Sequence, residues 1–229
     1  MKRFKIGFVL LAFLLAGTIM IPGVNAYQAS SYGNTYTSLD TNDAARVAAN
    51  ELQSMGYAST AHTGNPAATY ARSHMVSDNV FFFDGHGSPG RLEFSAGSSS
   101  FMTAKTSSDY PYLENSNGEL ADIVLAVYMA CNSANSDSSN GNLLSQSRTE
   151  GMDMSVGWTS TFDAGEARYW SDRFWYWLDE GCSVKIAMQR ATSDTRDRVY
   201  PDALTGIQNV QCNGDNWCSM TIDPARAGD

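Results

Sequence analysis

The stretch NVFFFDGHG, residues 79–87, decides the fold of this chain. Its apolar part is too short for a helix, is apolar at consecutive positions and is closed by glycines, which is typical of a strand buried on both faces. The pattern recurs in ADIVLAVYMAC, residues 121–131, and in MSVGWTSTF, residues 154–162. Strands that are apolar throughout belong in a mostly parallel sheet that helices cover on both faces, so an α/β fold is predicted.

Helical patterns alternate with these strands. Apolar residues recur at helical spacing between Asp43 and Gly56, and Asn65 with Pro66 offers a cap and a first-turn proline for a helix that ends near Met75. Three more helices are predicted over residues 143–151, 164–181 and 183–199. Because no repeat or linker interrupts the series, residues 27–229 are predicted to be one domain.

Two segments lack a clear period. Residues 27–41 are rich in Ser, Thr, Asn and Tyr, and we expect an extended or loosely docked entry segment without visible chemistry. Residues 91–118 carry short strand-like pieces within a loop-rich excursion, which we expect to lie over a surface site.

The first 26 residues have the pattern of a secretory signal peptide. Three basic residues precede an apolar stretch, and a small-residue exit ends at Ala26. An uncleaved membrane anchor is the alternative, but Pro22 and Gly23 interrupt the apolar run. A secreted or cell-envelope location is therefore predicted, with no stable membrane span after the signal is removed.

The charge of the chain is acidic. The formal net charge is −9, and residues 27–229 hold 12 basic against 24 acidic side chains. Nucleic acid is an unsuitable partner for such a surface, because affinity for it depends on basic residues that neutralise phosphates. The carboxylates form no block of like charge and are interpreted as a solubilising surface.

The four cysteines do not divide evenly. Cys212 and Cys218 bracket a turn and are predicted to form a local disulfide. Cys182 is either a buried small hydrophobe or a disulfide partner. Cys131 ends an apolar strand and opens a polar loop, which suits a reactive thiol, although a disulfide between Cys131 and Cys182 is an alternative in an oxidising compartment.

His86 and Cys131 follow two different strands of the predicted sheet. In parallel sheets the carboxyl ends of the strands share one edge, where ligands bind. An imidazole near a thiol helps it to become the nucleophilic thiolate, so the pair is a candidate general base and nucleophile. Asp84 is a candidate orienting group for His86, with capping of the turn as the alternative.

The glycines beside His86 suggest the rest of an acyl-transfer site. The backbone N–H groups of Gly87 and Cys131 are candidates for an oxyanion hole, and acylation would give a thioester on Cys131. This chemistry needs no cofactor and no metal. A dinucleotide-binding loop at residues 85–90 is rejected because no amphipathic helix follows. A metal site from His62, His74 and His86 is also rejected, because the first two are expected in a loop and on a helix with no matching carboxylate pattern.

Taken together, VFFFDGHG, VLAVYMAC about 45 residues later, and GCSVKIA after an aromatic helix resemble the caspase-like cysteine peptidases. That group includes caspases, legumains, gingipains, clostripain, separase and CHAT domains, and this chain is most similar to a broad secreted branch. The resemblance covers residues 80–191. It implies a three-layer α/β/α sandwich, with His86 as general base and Cys131 as nucleophile. Neither a QACRG pentapeptide nor the legumain surroundings of the cysteine is present, so no substrate preference is carried over.

The resemblance also implies that the strand after the cysteine helps to wall the first specificity pocket. The candidates for that wall are Trp158, Thr159 and Ser160, and a core tryptophan capped by polar loop residues is the alternative.

The sequence leaves two functions open. The first is an exported cysteine endopeptidase whose partner is a peptide or protein substrate. The second is a non-catalytic relative that keeps the scaffold as a binding or envelope-associated protein. The oligomeric state is left open.

Overall fold

A computed structural model describes residues 27–95, 100–198, 206–214, 217–222 and 224. The predicted signal peptide, residues 1–26, lies outside the described residues. The described part of the chain forms nine strands and five helices, in the following order: β1 Gln28–Gly33, α1 Asn42–Ser54, β2 Ala58–His62, α2 Ala68–Met75, β3 Val80–Asp84, β4 His86–Ser88, β5 Arg91–Phe94, β6 Ser100–Thr103, β7 Leu125–Met129, α3 Leu143–Thr149, β8 Ser155–Trp158, α4 Ala164–Asp179, α5 Val184–Arg198 and β9 Val210–Asn213.

Six strands form the main sheet, in the order β2-β1-β3-β7-β8-β9. The pairs from β2 to β8 are parallel, and only the edge strand β9 is antiparallel to its neighbour. Asp84 lies opposite Met129 in the pairing of β3 with β7. The carboxyl ends of these two strands therefore meet at one edge of the sheet.

Each face of the sheet has its own core. Val80 and Phe82 belong to the core that contains residues of α1, α4 and α5, whereas Phe81 and Phe83 belong to the core with α2 and α3. Strands β4, β5 and β6 make a small antiparallel sheet, whose Leu92 and Phe94 also join this second core. The predicted three-layer α/β/α sandwich is confirmed.

Strand β1 corrects the expectation of a loosely docked entry segment. It lies between β2 and β3, and all of its residues except the first are buried. Small residues give this strand no apolar period but allow α1 to pack closely, since a Cβ on Gly33 would lie 2.6 Å from the Cα of Asn42. The expected extended conformation is confirmed, whereas the alternative of loose docking is wrong, because it relied on hydrophobic periodicity, which this buried strand does not show.

The loop between β1 and α1 is also fixed. Thr35 pairs with Asp40 in an isolated bridge, and the N–H of Tyr36 donates to the carbonyl of Leu39 at 2.7 Å.

Within the described ranges, no helix combines the length and the apolar character needed to cross a bilayer.

Candidate active site

His86 follows β3 after a single glycine. The N–H of Gly85 donates to the carbonyl of Met129 at 3.1 Å, so the chain still follows β7 as it leaves the sheet. A Cβ on Gly85 would lie 2.5 Å from the phenol oxygen of Tyr36, which explains the need for glycine. His86 then begins β4 with its side chain exposed. The glycine turn thus delivers an accessible imidazole to the edge of the sheet.

Cys131 follows β7 in a tight turn. Asn132 has a positive φ of 58°, and its N–H donates to the carbonyl of Ser160 at 3.1 Å. The hydroxyl of Ser133 donates to the carbonyl of Tyr128 at 2.8 Å and accepts from the N–H of Trp158 at 3.0 Å. These bonds tie the turn to both β7 and β8, and the Cys131 thiol is free and half-buried.

His86 and Cys131 line one cavity of about 230 Å³. Its other walls come from the segment before α1 and from the first turns of α1 and α4, including Ala44 and Ala167. A larger cavity of about 470 Å³ lies along α5 and β9, but neither of these two residues is among its described lining residues. Chemistry, not size, therefore selects the smaller cavity as the candidate active site.

Asp84 also lines this cavity, and its side chain is buried. Its backbone carbonyl accepts hydrogen bonds from the Asn34 amide at 2.9 Å and the Thr41 hydroxyl at 2.7 Å. Burial raises the pKa of the Asp84 carboxyl well above its usual range, and the positive charge of Arg168 opposes this only in part. Within the described residues, no hydrogen bond joins this carboxyl to the His86 ring, so a role for Asp84 in orienting the ring stays a prediction.

Arg168 brings further charges to the cavity. Its guanidinium lies 3.3 Å from a carboxylate oxygen of Asp43 and 3.4 Å from one of Asp172. Because all three side chains are substantially exposed, these ion pairs are expected to contribute little stability.

The candidate oxyanion groups lie close together. A Cβ on Gly87 would lie 2.7 Å from the Cβ of Ala130 and 3.4 Å from the carbonyl oxygen of Cys131. Glycine at this position therefore lets β4 pass directly against the turn that carries the thiol. In the described part of the chain, no backbone carbonyl accepts the N–H of Cys131.

The candidate specificity residues are placed differently from one another. The Trp158 side chain is fully buried, and its indole N–H donates to the carbonyl of Ile207 at 2.9 Å. The structure thus places Trp158 in the core, as in the alternative interpretation, and not on the cavity wall. Thr159 and Ser160 are half-buried, and Ser160 donates to the carbonyl of Gly206 at 2.9 Å.

The other three cysteines differ in whether they form a disulfide. Cys212 and Cys218 form a disulfide that links β9 to a 3₁₀ turn at Trp217–Ser219. Cys182 is free, as is Cys131, so the alternative disulfide between them is not formed.

Among the residues that the structure describes, no group of three or more His, Cys, Asp or Glu side chains could hold a metal ion.

Comparison with solved structures gives the class of fold. The Arg-specific cysteine proteinase gingipain R (RgpB) matches 86% of this chain and 45% of its own, with a TM-score of 0.57 and 11% identity. The complex of Porphyromonas gingivalis RgpB pro- and mature domains matches 87% of this chain and 49% of its own, with a TM-score of 0.60 and 11% identity. Caspase-1 from Spodoptera frugiperda matches 82% of this chain and 87% of its own, with a TM-score of 0.46 and 13% identity.

The two gingipain similarities show that the chain shares the caspase-like α/β fold of those structures. The chain spans about half the length of the gingipain chains that it matches. No family model matches the chain, and no curated protein sequence matches it.

Three residues at this edge escaped sequence analysis. Asn34, Tyr36 and Thr41 lie in the polar segment before α1, yet each makes a hydrogen bond to residues 84–93 at the end of β3 or in the hairpin that follows it. A polar loop gives no periodic signal for such contacts, because their partners lie about 50 residues away in the sequence.

Proposed function

We propose that this protein is an exported cysteine endopeptidase in which Cys131 is the nucleophile and His86 the general base. The observation that supports this most directly is that both residues line the same cavity, at the carboxyl ends of two neighbouring parallel strands. The thiol is free and half-buried, and the exposed His86 lines the same cavity, which suits a cysteine nucleophile and its general base.

The reaction proceeds by acyl transfer. Cys131 gives its proton to His86, and Sγ attacks the carbonyl carbon of the scissile peptide bond. The N–H groups of Gly87 and Cys131 stabilise the oxyanion of the tetrahedral intermediate. The C–N bond then breaks as His86 returns the proton to the leaving amine, which leaves a thioester on Cys131. Water attacks the thioester while His86 takes its proton, the C–S bond breaks, and the thiol is restored with a free carboxylic acid as product.

Export is the second part of this proposal, and the pattern of residues 1–26 supports it. The expected mature chain begins at Tyr27. Expression of the full sequence in a secreting host, followed by mass measurement of the protein from the medium or envelope fraction, tests this. A protein that retains residues 1–26 in the membrane fraction would contradict cleavage.

Peptide hydrolysis and thiol labelling test the catalytic proposal. The purified protein is tested against short fluorogenic peptides that vary at the residue before the scissile bond, beside C131A. Iodoacetamide labelling is followed at single residues by mass spectrometry, with Cys182 as the internal control because it is also free and half-buried. We expect hydrolysis that C131A abolishes, together with faster labelling of Cys131 than of Cys182 that H86A removes.

The contrary result is equally definite. If no peptide is cleaved while the protein is folded, and if Cys131 is labelled no faster than Cys182, the peptidase proposal fails. A non-catalytic binding protein on the same scaffold would then account for the chain.

A further inference from the structure

Tyr36 lies in the loop between β1 and α1, next to the candidate active site. Its side chain is half-buried, and the loop is closed by the bridge between Thr35 and Asp40. The loop is anchored at both ends, since Asn34 and Thr41 donate to the carbonyl of Asp84. The loop therefore holds Tyr36 in a fixed position at the end of β3.

The phenol of Tyr36 bonds to two strands. Its hydroxyl donates to the carbonyl of Glu93 in β5 and accepts from the backbone N–H of His86 at 3.3 Å. Burial raises the pKa of Tyr36 above its usual range, and the nearby Glu93 and Asp84 carboxyls act in the same direction. The phenol thus stays protonated and keeps its donor at neutral pH.

The ring of Tyr36 contacts the imidazole of His86. The ring centroids are 4.4 Å apart, with an angle of 53° between the planes. One side chain therefore holds the main chain of His86 and also covers part of its imidazole.

In the described ranges, no other side chain both bonds to the main chain of His86 and contacts its imidazole. No hydrogen bond reaches either ring nitrogen from the described residues, and Asp84, the nearest carboxyl along the chain, is buried in the floor of the cavity. An exposed imidazole without such support samples several rotamers, and each departure from the productive geometry slows proton transfer.

We propose that Tyr36 is the positioning residue of the catalytic dyad, which holds the His86 imidazole in the orientation that faces Cys131. The proposal rests on the proposed peptidase function. In many nucleophile–base pairs a third polar side chain orients the base. In this proposal the aromatic ring and the hydroxyl of Tyr36 orient it instead.

Three variants test this proposal. Y36F keeps the ring and removes the hydroxyl, whereas Y36L removes both. Y70L is the matched control, because Tyr70 is a partly exposed tyrosine whose ring centroid lies 4.2 Å from that of His74. We expect Y36L to lower kcat about 100-fold with little change in KM. Y36F should lower kcat by about 3- to 10-fold, the equivalent of one hydrogen bond, and Y70L should leave it unchanged.

Two further measurements separate positioning from simple support of the fold. The pH profile of Cys131 alkylation should shift to higher pH in Y36L, stay near wild type in Y36F and not change in Y70L. NMR of the imidazole protons is tractable because the chain has three histidines. The His86 resonances should lose the ring-current shift from Tyr36 in Y36L and keep it in Y36F. Far-UV circular dichroism verifies that each variant is folded.

The outcomes distinguish this proposal from the peptidase proposal. If H86A slows alkylation but Y36L keeps the wild-type rate and pH profile, the dyad stands and the role of Tyr36 is overturned. If Y36F is impaired as strongly as Y36L, positioning by the ring is overturned. Should Y36L fail to fold, Y36F decides alone, and wild-type kcat in Y36F then overturns the contribution of the hydroxyl. If H86A itself changes nothing, the peptidase proposal fails.

Discussion

In the described part of the chain, two places hold a histidine against a tyrosine ring, and they differ in the hydrogen bonds of the histidine. At the first, the His86 ring lies 4.4 Å from that of Tyr36. At the second, on β2 and α2, the His74 ring lies 4.2 Å from that of Tyr70. His74 bonds through Nδ1 to the hydroxyl of Tyr32 at 3.2 Å and stacks on His62, whereas the described residues leave both nitrogens of His86 without a partner.

The comparison teaches that a tyrosine neighbour does not by itself mark a functional histidine. His74 is engaged through the hydrogen bond of its Nδ1 and through stacking of its ring on His62, which suits a structural role. His86 is exposed and lines the same cavity as a free thiol, which is compatible with the proposed proton transfer. The following predictions test this difference.

Removal of the two imidazoles should have very different effects on catalysis. We expect H86A to lower kcat/KM by about 10³-fold, within the range for loss of a general base, and H74A to lower it less than about twofold. Steady-state hydrolysis of the best peptide found for wild type measures both. Equal losses in the two variants would erase the distinction between the sites.

Crowding at Gly85 should disturb the His86 site without changing any polar group. In G85A the new methyl group would lie 2.5 Å from the Tyr36 hydroxyl and 2.9 Å from Cζ of Phe83. We expect a stability loss of about 1–3 kcal/mol, together with lower peptidase activity. Denaturant unfolding measures the first effect, and G165A is the control because its methyl group would meet only the Asp163 carboxylate, at 3.0 Å. Wild-type stability and activity in G85A would contradict the close packing.

Asp78 should give the region around His74 a distinct pH dependence of stability. Burial raises the pKa of Asp78 from 3.8 to about 7, so the folded protein holds this proton more tightly than the unfolded chain. The Asp78 contribution to the free energy of unfolding is therefore full below pH 3.8 and is lost as the pH rises to about 7. In D78N, stability relative to wild type should be greater at pH 8 than at pH 4, as measured by urea unfolding. A constant difference would contradict the raised pKa.

His62 should act in the opposite direction and more weakly. Burial lowers its pKa below 6.5, and the neighbouring His74 lowers it further. Its contribution is therefore full above pH 6.5 and is lost as the pH falls, because the unfolded chain then binds the proton more readily. H62Q should gain stability relative to wild type between pH 8 and pH 5. No gain on acidification would contradict the lowered pKa of His62.

The sequence predicts the centre of the fold well because its signal is local. Strands β3 and β7 are apolar on both faces, and their ends place His86 and Cys131 at one edge by topology alone. The free Cys131 thiol agrees with the predicted reactive thiol, but the disulfide with Cys182 and the walls of the shared cavity could be settled only by contacts between segments that are distant in the sequence.

The missed elements lack such a local signal. Strand β1 is buried through small side chains whose fit depends on α1, and β9 carries the mixed sequence VQCN at the sheet edge. The resemblance makes Trp158 a candidate pocket residue, but its ring centroid lies 5.0 Å from that of Trp170 on α4. The burial of Trp158 therefore becomes evident only once the position of α4 is known.

The cavity beside Cys131 has walls that come from four widely spaced stretches of chain, which run from Ser38 to Arg168. Long-range contacts of this kind form late, once the intervening segments have folded. A chain that is still being synthesised, or that crosses a membrane unfolded, therefore carries the thiol and the imidazole without the chamber that joins them. On the proposed function, the active site would therefore assemble only in the compartment where the chain completes its folding.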